Sequence, residues 1–205
     1  VPSTAVPISS PYLRDPDVQL MMRARDGDDD AFSELVSRFQ DRLVALLTNM
    51  VGNAENAEDL AQDVFLRIYK ARNGYEPNAK FSTWLFAIAH NVACNSKRSK
   101  VRRKEVQMQP ADSGAAPTAM PEEAVPEKSA LMPTRLIARK ELQDRVQAAM
   151  ANLNERQRMA VLLHKFEGMS YADIGAALEM TPQAVKSLLS RARDNLREQL
   201  EAFVR

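Results

Sequence analysis

Residues 154–200, NERQRMAVLLHKFEGMSYADIGAALEMTPQAVKSLLSRARDNLREQL, decide how this chain folds. Apolar residues recur there at spacings of three and four, the period of a helix that buries one face, and the breaks between them follow helix-end chemistry. Ser170 with Asp173 three positions on makes a capping pair ahead of a short helix that runs to Leu178. Glu179-Met180 supplies a turn, and Thr181-Pro182 opens another helix with a capping hydroxyl and a proline in its first turn, where its missing N–H is not needed. In that second helix Val185, Leu188, Leu189, Ala192 and Leu196 share the inward face. Gln183, Lys186, Ser187, Ser190 and Arg197 point outward, with Arg191 and Arg193 on the flanks. Such a set donates to base edges and phosphates, so the segment reads as a helix-turn-helix. A plain bundle with a charged outer face would share the period, but not the cap, the turn and the polar set together.

The same period extends outward over most of the 205 residues, whose 45% hydrophobic and 27% charged composition is that of a globular protein. Only 6 glycines and no sustained alternation predict an all-α chain of two small helical domains with no sheet. Residues 1–16, with Pro2, Pro7, Pro11 and Pro16 among small polar residues, read as a loose tail. Residues 17–104 form the first domain, with a helix starting near Asp30 and a break at Gly52-Asn53. Residues 105–134, rich in proline and carrying five acids against one lysine, form an acidic linker, and 135–205 form the second domain.

Two segments of the first domain carry information beyond packing. In AEDLAQDVFLRIYKAR, residues 57–72, Leu60, Ala71, Val64, Ala57, Ile68, Ala61 and Phe65 share one broad face. The opposite arc holds Glu58, Asp59, Gln62, Asp63, Arg67 and Lys70 with Leu66 in their midst. An apolar anchor inside a polar rim suits a protein contact, although a lone surface leucine is also common. In GYEPNAKFSTWLFAIAHNVACNSKRSKVRRK, residues 74–104, Pro77-Asn78 makes a loop, Ser82 or Thr83 is a candidate cap, and Leu85, Ile88, Ala89 and Val92 form a buried stripe. Beside that stripe Trp84, Asn91, Asn95 and Arg98 lie within roughly 60° of one another, a seam that leads into six cations without an acid, from Lys97 to Lys104. Aromatic faces stack on bases, amides reach base edges and cations neutralise phosphates, so seam and run suit unstacked nucleic acid. The competing reading is Trp84 as core and the basic run as a solvated face.

Other function classes recede. A formal net charge of +1 does not mark a nucleic-acid binder, so the signal is the segregation of charge rather than its excess. The single Cys94 excludes an internal disulfide and suits a reducing cytoplasm; with His90 and His164 it makes too small a set for a structural zinc site. Neither histidine has a catalytic context, and there is no phosphate loop, carboxylate pair or partnered nucleophile. The sequence therefore predicts no enzyme activity, no catalytic residue, no metal and no cofactor. Apolar runs such as Leu43–Leu47 are far short of the ~20 residues that span a bilayer, and no basic-then-apolar leader opens the chain, so neither membrane insertion nor export is expected.

The three segments, in this order around a proline-rich linker, resemble the extracytoplasmic-function sigma factors of the sigma-70 family over residues 17–104 and 135–200. The resemblance implies core RNA polymerase, promoter DNA and an anti-sigma factor as partners. It assigns Asp59, Gln62, Asp63, Leu66, Arg67 and Lys70 to the clamp of the largest polymerase subunit. It assigns Asn78, Lys80, Phe81, Trp84, Asn91, Asn95, Lys97 and Arg98 to the −10 element, with the loop before Phe81 holding a flipped-out base. Thr181, Gln183, Lys186, Ser187, Ser190, Arg191 and Arg193 go to the −35 element, in a domain that also sits on the flap of the second-largest subunit. Leu188 stands where members often have an arginine, so the −35 sequence cannot be copied from a relative. The acidic linker is expected to lie in a channel built for nucleic acid. A self-sufficient helix-turn-helix regulator would leave the Leu66 face unexplained, and a polymerase adaptor blind to DNA would leave the seam unexplained.

Overall fold

The computed structural model describes residues 10–107 and 133–201, and among them there is no strand. The helices are α1 (Pro16–Arg25), α2 (Asp29–Val51), α3 (Ala54–Ala71), α4 (Phe81–Gln107), α5 (Pro133–Ala151), α6 (Glu155–Lys165), α7 (Tyr171–Leu178) and α8 (Pro182–Glu201). Their ends follow from side-chain chemistry. Asp15 accepts from the Asp17 and Val18 N–H groups ahead of α1, and Asp28 from Ala31 ahead of α2. Gly52, at φ 79°, ends α2 in the left-handed conformation that favours glycine, and Asn53 caps α3 immediately after it. The chain thus reverses within two residues, and α2 and α3 form an antiparallel pair.

In α2 the buried residues Leu35, Phe39, Leu43, Leu47 and Met50 make a single stripe. It faces Ala57, Ala61, Val64 and Ile68 of α3, and Leu85, Phe86 and Ala89 of α4 complete the core of the first bundle. In the second bundle Met159, Leu162 and Leu163 of α6 meet Ile174 and Leu178 of α7 and Val185, Leu189 and Ala192 of α8. The bundles also touch each other, α4 against α7 and α2 against α6.

Three expectations need correction. The tail ends earlier than residue 16, because Ser10 caps a 3-10 turn over Pro11–Arg14, donates its hydroxyl to the Pro77 carbonyl and leads straight into α1. Pro11 and Pro16 stand in first turns, where a fixed φ favours helix entry instead of preventing it. Helix α4 starts at Phe81, not at a Ser82 or Thr83 cap: the Lys80 carbonyl accepts from the Thr83 N–H at 3.1 Å. The helix then runs on to Gln107, past the expected linker boundary at 105, and α5 begins at Pro133; residues 1–9 and most of the acidic linker lie outside the described residues.

Candidate functional surfaces

On α3 the structure buries five of the seven residues that the wheel puts on the inner face; Leu60 is partly buried, and Ala71, at the helix's last turn where the packing ends, is exposed. Ala57, Ala61, Val64, Phe65 and Ile68 are buried, while Leu66 is 56% exposed. Asp59, Gln62, Arg67 and Lys70 are exposed around it, and Asp63 pairs with Arg67 at 3.0 Å across one helical turn. The structure adds what a single wheel could not show, a 720 Å³ groove between α2 and α3 into which Leu66 and Gln62 project. Phe32, Val36, Val44 and Phe65 supply its apolar floor, and Asp41 and Glu58 its acidic rim. Such a groove accepts the apolar face of a helix whose flanks carry cations.

The residues expected at the −10 element divide into three groups. Asn91, Asn95 and Arg98 are exposed on α4, with Lys97 partly exposed one turn from the next bundle. Burial, and then the nearby Arg158, lowers the Lys97 pKa. Phe81 is fully buried, edge-on to Phe39 with centroids 5.2 Å apart, so it anchors the loop from inside and is no DNA contact in this arrangement. Its aromatic character marked it for stacking, but its place at the first turn of α4 turns it into the core.

Lys80 is exposed and pairs with Asp173 of α7 at 3.4 Å, while Asn78 and Trp84 belong to a cavity of 360 Å³ lined also by Tyr75, Glu76, Thr83 and Ala87. Tyr75 and Trp84 pack with ring centroids 5.1 Å apart on one side of it. The hydroxyls of Tyr75 and Thr83 are buried and find no hydrogen-bond partner among the described residues. Burial, and secondarily Asp15, pushes the Tyr75 phenol up to about 12, so it stays a neutral donor. A buried hydroxyl without a partner costs free energy, and both residues that carry one stand in the wall of this aromatic cavity. Sequence reasoning missed both hydroxyls, since nothing in GYEPNAKFST shows that residues eight apart will line one cavity.

In the second bundle Ser170 accepts from the Asp173 N–H at 3.1 Å and Thr181 from that of Ala184 at 3.2 Å, the two caps read from the sequence. Glu179 takes φ 55° between them. Gly175 makes the turn possible: a Cβ there would stand 2.5 Å from the Met180 carbonyl oxygen. Thr181, Gln183, Lys186, Ser187, Ser190, Arg191 and Arg193 are all exposed, whereas Leu188 is buried. The outward face of α8 is therefore a row of hydroxyls, one amide and three cations carried by a rigid helix, the arrangement that enters a major groove.

The two bundles coincide with two known sequence families. Residues 35–103 match the model described as Sigma-70 region 2, and residues 143–196 match Sigma-70, region 4. The RNA polymerase sigma-H factor of Pseudomonas aeruginosa is 33% identical over 92% of this chain and 96% of its own length. This chain belongs to the sigma-70 family, as an extracytoplasmic-function sigma factor. The ECF RNA polymerase sigma factor SigW of Bacillus subtilis is 30% identical over 87% of this chain and 93% of its own. Among solved structures, CnrH in complex with the cytosolic domain of CnrY has a TM-score of 0.65 at 24% identity, covering 92% of this chain and 99% of that one. RpoE with the anti-sigma factor NepR from Bartonella quintana has a TM-score of 0.63 at 23% identity, covering 84% and 98%. At those identities the two structures show the shared fold. The sigma factor is a transcription initiation factor, of a non-enzymatic family, that binds core polymerase and directs promoter-specific initiation.

Two further features of the sigma factor have no clear sequence signal. Leu142, Val146 and Phe166 are exposed apolar residues around a 710 Å³ groove where α5, α6 and α8 meet Thr48 and Asn49 at the end of α2. Arg158, buried in the apolar run of α6, donates to the carbonyls of Met150 at 2.8 Å and Leu153 at 3.3 Å in its own bundle, and to Met50 at 3.0 Å in the other. No helix among the described residues is long and apolar enough to cross a membrane.

Proposed function

We propose that the first bundle, near residues 17–104, both docks on the polymerase clamp and opens the −10 element, while the second, near 135–205, reads the −35 element. The observation that carries this division is the cavity lined by Tyr75, Thr83 and Trp84 beside the exposed amides and cation of α4. Extruding a base from the stack costs a few kcal/mol, and melting proceeds only if the protein holds the freed base. The cavity offers the Tyr75 and Trp84 rings for that base, and Asn91, Asn95, Lys97 and Arg98 offer a track for the neighbouring backbone. The α2–α3 groove with Leu66 and Gln62, together with Asp59, Asp63, Arg67 and Lys70 on the outward side of α3, is the clamp site. The Leu142–Phe166 groove suits the apolar flap of the second-largest subunit, and Gln183 and Lys186 are the base readers on α8.

An anti-sigma factor is the expected negative partner, a reading supported by the similarly folded RpoE solved with its anti-sigma factor. The work of such a protein is cytoplasmic. Promoter-specific transcript synthesis by core polymerase, with and without the sigma factor, tests the assignment as a whole. The Asn91→Ala, Asn95→Ala double variant should slow opening at every promoter, read by permanganate footprinting, with unchanged affinity for core polymerase. Normal opening by that variant would place the melting surface on another face.

A further inference from the structure

The loop that carries Asn78 is tied to a segment far from it in sequence. Pro77 is buried and has no N–H, so it enters hydrogen bonding through its carbonyl alone, which accepts from the Ser10 hydroxyl 67 positions earlier. The next N–H, that of Asn78, donates to the Glu76 carbonyl at 2.8 Å, and the Asn78 side-chain amide donates to the Glu76 carboxylate at 3.0 Å. The Pro77 carbonyl and the Asn78 N–H belong to one planar peptide unit. That unit is held at both edges, which fixes the directions in which Glu76 and Asn78 line the Tyr75–Trp84 cavity.

Ser10 is itself held in place. Its oxygen accepts from the Tyr12 N–H at 3.3 Å and caps the 3-10 turn Pro11–Arg14, while Tyr12 packs against the core. The Asp15 N–H then donates to the Tyr12 carbonyl at 2.9 Å, and the Asp15 carboxylate caps α1, whose Val18 and Met21 are fully buried. Helix α1 packs against the 3-10 turn Arg72–Gly74, just before the loop, and against α4, just after it. The Ser10 hydroxyl thus stands on a segment anchored in the first bundle by Tyr12 and by α1.

We infer that Ser10 is a positioning residue for −10 recognition: its hydroxyl sets the Pro77–Asn78 peptide, and with it the side of the cavity that meets an extruded base. The inference rests on the reading of that cavity as the −10 base site. Ser10 acts through the loop and touches no base itself. A loop fixed before binding rejects a base that does not fit, whereas a loop free to turn its peptide repacks around several. Loss of the hydroxyl should therefore relax the choice of base at the −10 element.

Three substitutions separate the donor from the cap. Ser10→Thr keeps both, Ser10→Asp keeps the cap but as a carboxylate has no proton to donate, and Ser10→Ala loses both. Each full-length variant is assembled with core polymerase and transcribes one promoter pool randomised at the −10 element and another randomised at the −35 element. Sequencing the transcripts gives the ratio of preferred to disfavoured base at each position. Ser10→Ala and Ser10→Asp should each lower the −10 ratio by about twofold to tenfold, the range that one net hydrogen bond allows, and leave the −35 ratio alone. Ser10→Thr should match the parent in both pools. A parent-like −10 ratio in Ser10→Asp, or an equal loss at −10 and −35 in Ser10→Ala and Ser10→Asp, overturns the inference. Asn78→Ala distinguishes the two ways of failing. A changed −10 ratio there, with parent ratios in every Ser10 variant, overturns the Ser10 brace alone; parent ratios in all four variants remove the base-site reading with it.

Discussion

At the scale of single residues, the informative side chains are those whose environment contradicts their type. Leu66 is apolar and exposed, and it lines a groove with the partly buried Phe32, Val36 and Val44 and the buried Phe65. Leu66→Asp should leave the melting temperature near the parent's, since the side chain contributes little to the core, yet weaken polymerase binding by something like the ~2 kcal/mol of a hot-spot residue. A core-binding titration alongside a thermal melt checks both halves; unfolding of the variant would place Leu66 in the core. Tyr75 and Thr83 are the opposite case, polar and buried without partners. Thr83→Val and Tyr75→Phe remove an unsatisfied hydroxyl at nearly constant shape, so each should be neutral or stabilising by up to about 1 kcal/mol. On the proposed role of the cavity at the −10 element, the same changes should also slow open-complex formation. Permanganate reactivity matching the parent's would show that the hydroxyls serve no base.

Among the elements, legibility in the sequence tracks how local the cause is. The α7–α8 pair was readable to the residue because Ser170, Thr181 and Pro182 act on backbone groups within three positions of themselves. The α3 faces were readable because one helix period sorts Leu66 from Ile68 without reference to any neighbour. The start of α4 was not, since Thr83 looks like a cap until Phe81 is pulled into the core by Phe39, a residue 42 positions earlier. Arg158 was invisible for the same reason: its partners are carbonyls of two other helices. The pair α7–α8 also hides a requirement at Gly175, which reads as an ordinary small residue in YADIGAAL. Gly175→Ala would drive a Cβ against the Met180 carbonyl, and backbone there cannot swing aside. A destabilisation of about 2 kcal/mol is expected, larger than the gain from helix propensity, with −35 binding lost in step with folding. Denaturant titration of the variant measures it; a variant more stable than the parent would mean that the turn relaxes freely.

For the whole molecule the question is whether the two bundles behave as one cooperative unit when free. Arg158 decides this more than any other residue, because a single buried guanidinium links the ends of α2 and α5. Burial lowers its pKa, the signature of a charge held away from water, with Glu155 the opposing influence. Carbonyls at helix C-termini carry partial negative charge, so a cation among them is favourable where a carboxylate would not fit. Arg158→Gln keeps one amide donor but cannot reach carbonyls on both sides. The second bundle should lose about 2 to 3 kcal/mol, as expected when buried acceptors are left unpaired, and the first should be nearly unaffected. In calorimetry the parent should therefore melt in one transition and Arg158→Gln in two, the earlier belonging to the second bundle. Amide hydrogen exchange separates them, since α3 packs within the first bundle and its amides should exchange only in the later step. A single transition merely shifted downward, with α3 and α8 amides exchanging together, would show that the α4–α7 contact couples the bundles without Arg158.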